Sequence, residues 1–156
     1  MNIVSSDDVN HVVRLHRAVY EPEYGLEPSF ADEVATQMAE FRRRGFPGAR
    51  EGLWLAKADE EVVGTVTLIE ESLALGRLGH LVLLPAARGT GAGRRLVDTV
   101  LGAAREAGYE RLQLFTFSDL RAAGRLYRSA GFEVANAEDT VRWGRRMTWQ
   151  RYELAL

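Results

Sequence analysis

The chain has 156 residues, of which 46% are hydrophobic and 27% charged, a composition typical of one globular domain spanning residues 1–156. Its 20 basic and 22 acidic side chains leave a formal net charge of -2, which argues against a surface that binds nucleic acid over its whole extent. The chain has no cysteine and three histidines, so disulfides, thiol nucleophiles and cysteine-ligated metals are excluded and we expect no metal site.

The sequence shows no sign of a membrane anchor. No apolar run approaches the roughly 18 residues of a membrane-spanning helix. The first residues also lack the basic-then-apolar pattern of a signal peptide. We therefore expect a cytoplasmic protein without a membrane or nucleic-acid partner, and the sequence leaves a homodimer open.

The first half of the chain predicts one short strand, two helices and a hairpin. Apolar residues at helical spacing, preceded by capping residues, indicate the helices. The expected segments are a strand at 3–4, a helix from Ser5 to Tyr20, a loop over 21–28, a helix over 29–44, and hairpin strands at 53–56 and 62–69. His11 falls beside the apolar stripe of the first helix, and His16 lies on it. For both, a packed or surface histidine is the favoured interpretation.

The second half alternates strands with helices. The expected segments are a strand over 73–84, a helix over 94–107, a strand over 112–117, a helix over 120–130, a short strand at 132–134, a polar stretch over 135–146 and a last strand over 148–156. No repeat or low-complexity linker divides the chain. This element order predicts an α/β fold with a mixed sheet and helices on both of its faces.

A glycine-rich turn stands between the expected strand at 73–84 and the helix that follows it. The first N–H groups of a helix have no partner within the helix, and glycines let the backbone curl around an anion, so this order of elements makes a phosphate site. The spacing of Gly89, Gly91 and Gly93 fits neither the dinucleotide fingerprint nor the P-loop. It does fit R-x-x-G-x-G, read from Arg88 to Gly93. The alternative is a flexible loop without a ligand.

The pattern R-x-x-G-x-G resembles the pyrophosphate-binding motif of the GNAT superfamily of acyl-CoA-dependent N-acetyltransferases. A second segment, AAGRLYRSAGF from Ala122 to Phe132, resembles the "aAxxLYxxxGF" helix of the same superfamily and follows the turn at the matching distance. The flanking sequences HRAVYEPEYGLEPSFADEVATQMAEF and WGRRMTWQRYELAL resemble the acetyltransferase domains fused behind MarR-type winged-helix regulators. Since the chain starts at Met1 without such a DNA-binding domain, we expect a stand-alone relative.

The resemblance implies a GNAT-like, mostly antiparallel central sheet of six to seven strands with helices on both faces. It also implies acetyl-CoA as co-substrate, no metal, and direct attack of a primary amine in a ternary complex. The residues expected to bind acetyl-CoA are Leu81, Leu83, Leu84, Arg88, Gly89, Thr90, Gly91, Ala92, Gly93, Arg94 and Tyr127. In the family the tyrosine that matches Tyr127 approaches the CoA sulfur and is commonly assigned as the general acid.

The sequence departs from the family pattern at two places. Leu120 stands where many members carry an asparagine that contacts CoA. Residues 76–84 contain no acid, although the matching strand often carries a glutamate that acts as general base. His80 is the only titratable base in that strand and is the candidate catalytic base, with Glu70 and Glu71 as rivals.

The acceptor-binding region is expected in the first two helices and the loop between them. Its candidate residues are Tyr20, Glu21, Tyr24 and Phe30, joined by Trp143 and Trp149 from the far end of the chain. Acids combined with aromatic rings suit a cationic amine. A non-catalytic acyl-CoA-binding regulatory domain, and an interaction module with an empty phosphate loop, remain the alternatives to an enzyme.

Overall fold

The computed structural model describes residues 1–156 and contains seven strands and four α-helices. In chain order they are β1 (Asn2–Ser6), α1 (Asn10–Tyr24), α2 (Ser29–Arg43), β2 (Gly52–Ala58), β3 (Glu61–Glu70), β4 (Leu75–Leu83), α3 (Ala92–Ala107), β5 (Arg111–Phe117), α4 (Arg121–Ser129), β6 (Glu133–Arg142) and β7 (Arg145–Ala155). A short 3₁₀ turn, Pro85–Ala87, links β4 to the glycine-rich turn. None of the helices is both long and apolar enough to cross a membrane.

All seven strands form one sheet in the order β1-β2-β3-β4-β5-β7-β6. Every neighbouring pair is antiparallel except β4 and β5, which run parallel. That parallel pair is short, because only Leu75, Gly76 and Arg77 of β4 have partners on β5. The predicted mixed, mostly antiparallel sheet is confirmed. Beyond Arg77 the two central strands no longer pair.

Two apolar cores lie on opposite faces of the sheet. On one face α3 buries Leu96, Val97 and Val100 against β3 and β4, and α4 adds Tyr127. On the other face α1 and α2 bury side chains that include Val12, Leu15, Val34 and Met38. The interior of β3 is buried throughout, as expected for a central strand covered on both faces. The predicted placement of helices on both faces is therefore confirmed.

The bounds of the first helix differ from the prediction at both ends. Ser5 and Ser6 belong to β1, and the helix begins at Asn10 after a turn in which Asp8 N–H donates to Ser6 Oγ and Asn10 N–H to Asp8 Oδ1. These polar side chains cap a turn before the helix, a role that the same residue types also favour. The expected loop over 21–28 is shorter in the structure, because α1 continues through Pro22 to Tyr24 and is followed by Gly25, which has φ +63°.

The strand expected at 132–134 is longer than predicted, because the polar stretch that follows it continues the strand. Residues 133–142 form β6, which pairs along its length with β7. Most of its side chains are exposed on both faces, so the strand lacks the alternation of apolar and polar residues that identifies strands in a sequence. A polar edge strand of this kind also discourages pairing with other chains. The remaining predicted bounds lie within three residues of the observed ones.

Candidate active site

An irregularity in β4 opens the middle of the sheet. Thr65 pairs with Val82 and Thr67 with Gly79, so His80 and Leu81 together face the single residue Val66 of β3. This is a β-bulge, and His80 within it has φ +52°. Since a bulge bends the strand that carries it, the second half of β4 can separate from β5 and leave a gap between them.

A cleft of about 240 Å³ lies at this gap. Its walls come from helices on both faces of the sheet and from the sheet itself. The lining residues are His16, Tyr20, Phe30, Glu33, Val34, Gln37, Arg77, Leu78, Gly79, His80, Leu81, Phe115, Thr116, Phe117, Leu120, Tyr127, Arg142, Trp143 and Trp149. The cleft is therefore largely aromatic and apolar, with a few polar groups inside it.

The glycine-rich turn presents a row of unused backbone donors before α3. None of the N–H groups of Gly89, Thr90, Gly91, Gly93 and Arg94 donates to a protein acceptor. Gly91 has φ +84°, and a Cβ added there would meet no atom within 4 Å. The turn is thus open on the side where an anion would approach, and the α3 dipole adds partial positive charge there.

Gly93 serves a different purpose from the two glycines before it. It is buried, and an added Cβ would lie 3.1 Å from Leu126 and 3.2 Å from Leu83. The third glycine of the motif thus allows α3 to approach α4 and β4 closely.

Arg88, at the start of the motif, points toward the end of α1. Its Nη1 and Nη2 atoms donate to the two carboxylate oxygens of Glu23 at 2.6 and 2.8 Å, and Nη2 also donates to the Leu83 carbonyl at 3.1 Å. The hydrogen bonds from Arg88 lower the pKa of Glu23. A planar guanidinium that holds a carboxylate by two bonds can hold a phosphate in the same way.

The end of β4 supplies one further backbone donor. Leu84 N–H donates to the Val63 carbonyl at 2.8 Å, so the Leu84 amide belongs to the sheet. Because successive amides of a strand point to opposite sides, the amide of Leu83 points away from β3 and toward the gap. Leu81 lines the cleft itself.

Tyr127 reaches the cleft from α4. Its ring is 5% exposed and packs against Phe132 and Tyr152, with ring centroids 6.1 and 5.7 Å away. Its hydroxyl makes no hydrogen bond to the protein, whereas the hydroxyl of Tyr152 accepts one from Arg128. Burial raises the pKa of Tyr127, so its hydroxyl keeps its proton. Although the residue is buried, its hydroxyl reaches the cleft without a protein partner and is available there to a reacting group.

Two histidines lie together at the floor of the cleft. His80 contacts Thr67 Oγ1 through Nδ1 at 2.8 Å and Gln37 Oε1 through Nε2 at 3.2 Å. The ring of His16 lies 5.7 Å from that of His80, and its Nδ1 donates to the Val12 carbonyl at 2.7 Å. Burial lowers the pKa of His16 to about 4 and that of His80 well below its usual value, so both rings are neutral near pH 7.

The residues named from sequence as acceptor contacts separate into two groups. Tyr20 and Phe30 line the cleft with ring centroids 4.8 Å apart, and Trp143 lies 4.8 Å from Phe30. Tyr24 is not in the lining, although its ring lies 5.7 Å from that of Tyr20. Glu21 is outside the lining and pairs with Arg17 at 3.0 Å.

The rival bases are engaged elsewhere, outside the lining of the cleft. Glu70 contacts Arg50 at 3.1 Å, and Glu71 contacts Arg77 at 3.0 Å. Leu120, which replaces the family asparagine, lies immediately before α4 and lines the cleft without offering a polar group.

Sequence reasoning missed several lining residues. The sequence favours a packed or surface histidine at His16, because its neighbour His80 lies 64 positions away in the chain and no local pattern joins them. Arg142 was missed because β6 carries no strand signal. Glu33 and Gln37 lie four residues apart on α2, a spacing that puts two side chains on one helix face and could have identified them as a pair.

The known proteins that this chain resembles in sequence and in fold are acetyltransferases. The chain matches the model of the acetyltransferase (GNAT) family over residues 11–132. N-acetyltransferase 8B from Homo sapiens is 33% identical over 120 residues, covering 72% of this chain but only 52% of the human protein, so the chain spans about half the length of that relative. Uncharacterized N-acetyltransferase YjgM from Escherichia coli (strain K12) is 29% identical over 136 residues, covering 85% of this chain and 81% of YjgM. The structure of yncA from Salmonella typhimurium with its cofactor acetyl-CoA has a TM-score of 0.80 at 19% identity, covering 99% of this chain and 93% of that one.

Proposed function

The chain belongs to the acetyltransferase (GNAT) family, and from that membership we propose that it transfers the acetyl group of acetyl-CoA to a primary amine. The acceptor is a small molecule or a peptide, and the amine attacks directly in a ternary complex. The observation that carries the proposal is the arrangement along β4, whose residues 77–81 line the cleft with Tyr127, whose later part is unpaired with β5, and whose end leads to the open phosphate turn. We further propose that residues 1–156 act as a single domain, related to the acetyltransferase domains fused to MarR-type regulators.

The proposed acetyl-CoA site begins at the glycine-rich turn. Five amides, those of Gly89, Thr90, Gly91, Gly93 and Arg94, have no protein acceptor and are available to an anion. Arg88 can exchange the carboxylate of Glu23 for a phosphate. Ala92 belongs to the same turn, with its N–H 3.4 Å from Thr90 Oγ1. The fit of the residues to a pyrophosphate supports acetyl-CoA as co-substrate, which supplies an activated acetyl thioester.

The gap between β4 and β5 extends this site toward the cleft. The backbone of an extended arm can add to the free side of β4 at Leu81 and Leu83, as a strand adds to a sheet edge. Leu84 contributes only its side chain, because its amide is bonded to Val63. The Leu83 amide is then the donor that stabilises negative charge developing on the thioester carbonyl oxygen, as an oxyanion-hole N–H does.

Tyr127 is proposed as the proton donor to the departing sulfur. Its hydroxyl is protonated, unbonded and in the cleft, which supports catalysis over simple acyl-CoA binding. His80 and His16 are proposed to form the floor of the catalytic centre, where one of the two histidines acts as the base. General acids and bases of this kind each contribute about 10²–10⁴-fold in rate.

The acceptor is proposed to bind against the aromatic wall formed by Tyr20, Phe30 and Trp143. Tyr24 supports that wall from behind Tyr20. Glu21 is paired with Arg17, so Glu33 is the one acid in the lining, beside Arg77 and Arg142. This balance of charges does not favour a polycation and leaves amino acids, arylalkylamines and peptide N-termini as acceptors to test.

The direct test is thiol release from acetyl-CoA with a panel of amines. The panel contains an aromatic amino acid, an arylalkylamine, a polyamine and a short peptide with a free N-terminus. Turnover with one of them, together with CoA binding by calorimetry, supports an N-acetyltransferase. CoA binding without turnover of any amine points instead to a non-catalytic acyl-CoA-binding domain.

A further inference from the structure

The two imidazole rings at the cleft floor come from different elements. His16 is on α1 and His80 on β4, and the edge of one ring faces the other at a centroid distance of 5.7 Å. The proposed transfer needs one group to accept the proton that the amine nitrogen loses as it bonds to the acetyl carbon. Both rings line the cleft, and their hydrogen bonds distinguish them.

His80 has no free nitrogen. Its Nδ1 is 2.8 Å from Thr67 Oγ1 and its Nε2 is 3.2 Å from Gln37 Oε1. A neutral imidazole has one donor and one acceptor nitrogen, and a hydroxyl and a side-chain amide can serve either one. In both tautomers, therefore, the two nitrogens of His80 are already bonded to protein.

His16 has one nitrogen bonded and one free. Its Nδ1 is 2.7 Å from the Val12 carbonyl, which can only accept, so the proton of the neutral ring is on Nδ1. The other nitrogen, Nε2, then carries a lone pair. Nε2 makes no hydrogen bond to the protein and is not among the buried atoms that lack a partner, so it is open to the cleft that His16 lines.

From this difference in hydrogen bonding we propose that His16 is the catalytic base and that its Nε2 takes the proton from the attacking amine. His80 is then a positioning residue, which fixes the cleft floor through Thr67 and Gln37. The inference rests on the proposed acetyl transfer and assigns a role within it.

The proton balance of the step is complete. The amine nitrogen forms a bond to the acetyl carbon, and its excess proton moves to Nε2 of His16. The C–S bond then breaks with its electron pair on sulfur, and the thiolate receives a proton from the Tyr127 hydroxyl. The His16 imidazolium returns its proton through water to the tyrosinate, so the products are an amide and a thiol.

The neutral imidazole of His16 is available for this step. Burial lowers the pKa of His16 to about 4, so its lone pair is available across the physiological pH range. The amine nitrogen becomes more acidic than a free ammonium as it bonds to the carbonyl carbon, so its proton can pass to a base weaker than a free amine. The charged ring is disfavoured by its buried surroundings, which include Tyr20, Phe30 and His80, so it gives the proton up readily.

Two matched asparagine variants test the assignment. In His16→Asn the side-chain amide can keep the bond to the Val12 carbonyl while the basic nitrogen is lost. In His80→Asn the amide can keep the bond to Thr67, and asparagine is among the residues that best tolerate the φ of +52° at this position. Both proteins are assayed for thiol release with acetyl-CoA and the best amine found for the wild type. Calorimetric titration with CoA checks that each variant is folded.

We expect His16→Asn to lower kcat by about 10²-fold or more, the range of a general base, with CoA affinity unchanged. His80→Asn should lower kcat by less than about tenfold, well under that range. Added imidazole should restore part of the turnover of His16→Ala and none of that of His80→Ala, an effect that a structural role of His16 would not produce.

The proposal is overturned if folded His16→Asn keeps turnover within about threefold of the wild type, a loss far below that of a general base. It is equally overturned if His80→Asn is the more damaged variant, or if imidazole rescues His80→Ala instead of His16→Ala. A wild-type protein that turns over no amine contradicts the proposed transfer itself, and the assignment of a base fails with it.

Discussion

The guanidinium of Arg88 and the carboxylate of Glu23 are joined by two hydrogen bonds of 2.6 and 2.8 Å. The pair ties the glycine-rich turn to the last turn of α1, the helix that contributes Tyr20 to the aromatic wall of the cleft. Both side chains are partly exposed, so the pair is of the kind that contributes little to stability. A phosphate that takes the same two donors would release Glu23 from them.

The first prediction concerns this competition. Glu23→Gln removes a negative charge that opposes a phosphate at Arg88, so CoA should bind more tightly by up to about fivefold, the range of a partly exposed ion pair. Arg88→Gln should weaken binding by about 10-fold or more, since it removes charge-assisted hydrogen bonds. Titration calorimetry with CoA measures both.

Glu21→Gln is the matched control for Glu23→Gln. Glu21 lies two residues earlier on α1 and pairs with Arg17 rather than with the turn. Its loss changes the net charge equally and should leave CoA affinity unchanged. Equal effects of the two substitutions would show that general charge, and not the pair with Arg88, controls binding.

The second prediction compares two glycines of α3, Gly91 immediately before its first residue and Gly102 inside the helix. Gly91 has φ +84° and open space around it, so Gly91→Ala should strain the backbone by about 1–2 kcal/mol without a clash. Gly102 lies inside the helix with nothing within 4 Å of an added Cβ, so Gly102→Ala should stabilise the protein by up to about 1 kcal/mol. Urea denaturation should give changes of opposite sign.

Substitutions at the same two positions should also differ in their effect on ligand binding. CoA at 100 times its dissociation constant should stabilise the wild type by about 2.7 kcal/mol, which thermal unfolding detects as a higher Tm. Gly91→Glu should abolish that rise, because it places a carboxylate where phosphate must approach. Gly102→Ala should keep it. A wild-type protein without any rise in Tm at millimolar CoA would contradict the proposed phosphate site.

The sequence predicted the fold well because its signals are local. Strand, turn and helix around Arg88 follow one another within a few residues, and the order of elements then limits the topology. The cleft was predicted less well because its contacts are distant in sequence. Arg88 and Glu23 are 65 positions apart, and His16 meets His80 only after α1 packs on β4. No periodicity encodes such pairs.

The third prediction tests the free hydroxyl of Tyr127. Tyr127→Phe should lower kcat by about 10²–10⁴-fold, the range of a general acid, with CoA affinity nearly unchanged. Because the hydroxyl has no protein partner, its removal should change the free energy of unfolding by less than about 1 kcal/mol. Steady-state kinetics under conditions where chemistry limits turnover, read beside urea denaturation, measures both quantities.

Tyr152→Phe is the control for this experiment. Tyr152 packs beside Tyr127 but lies outside the cleft lining, and its hydroxyl accepts a hydrogen bond from Arg128 at 3.1 Å. Its loss should cost about 0.5–1.5 kcal/mol of stability and leave kcat unchanged. If Tyr127→Phe behaves like Tyr152→Phe and keeps its turnover, Tyr127 has no part in the proton transfer.

The last prediction is a pH dependence of stability that originates at His16. Its pKa is about 4 in the folded protein and 6.5 when the ring is free in water, because burial disfavours the charged form. Between these values the unfolded chain binds more protons than the folded one, so acid favours unfolding. The stabilisation is complete above pH 6.5, declines as the pH falls, and is lost below about 4. The difference amounts to on the order of 3 kcal/mol.

Comparison with His16→Asn separates this contribution from that of carboxylates that titrate in acid. Glu23 also has a lowered pKa and remains in both proteins. The lowered pKa of His80 is due mainly to burial and in part to His16, so the comparison includes the coupling between the two histidines. The free energy of unfolding of the wild type minus that of the variant should therefore increase from pH 4 to pH 7, as measured by urea denaturation at closely spaced pH values. A difference that is flat across this range would mean that His16 titrates as an exposed histidine does, with a ring that is not enclosed by Tyr20, Phe30 and His80.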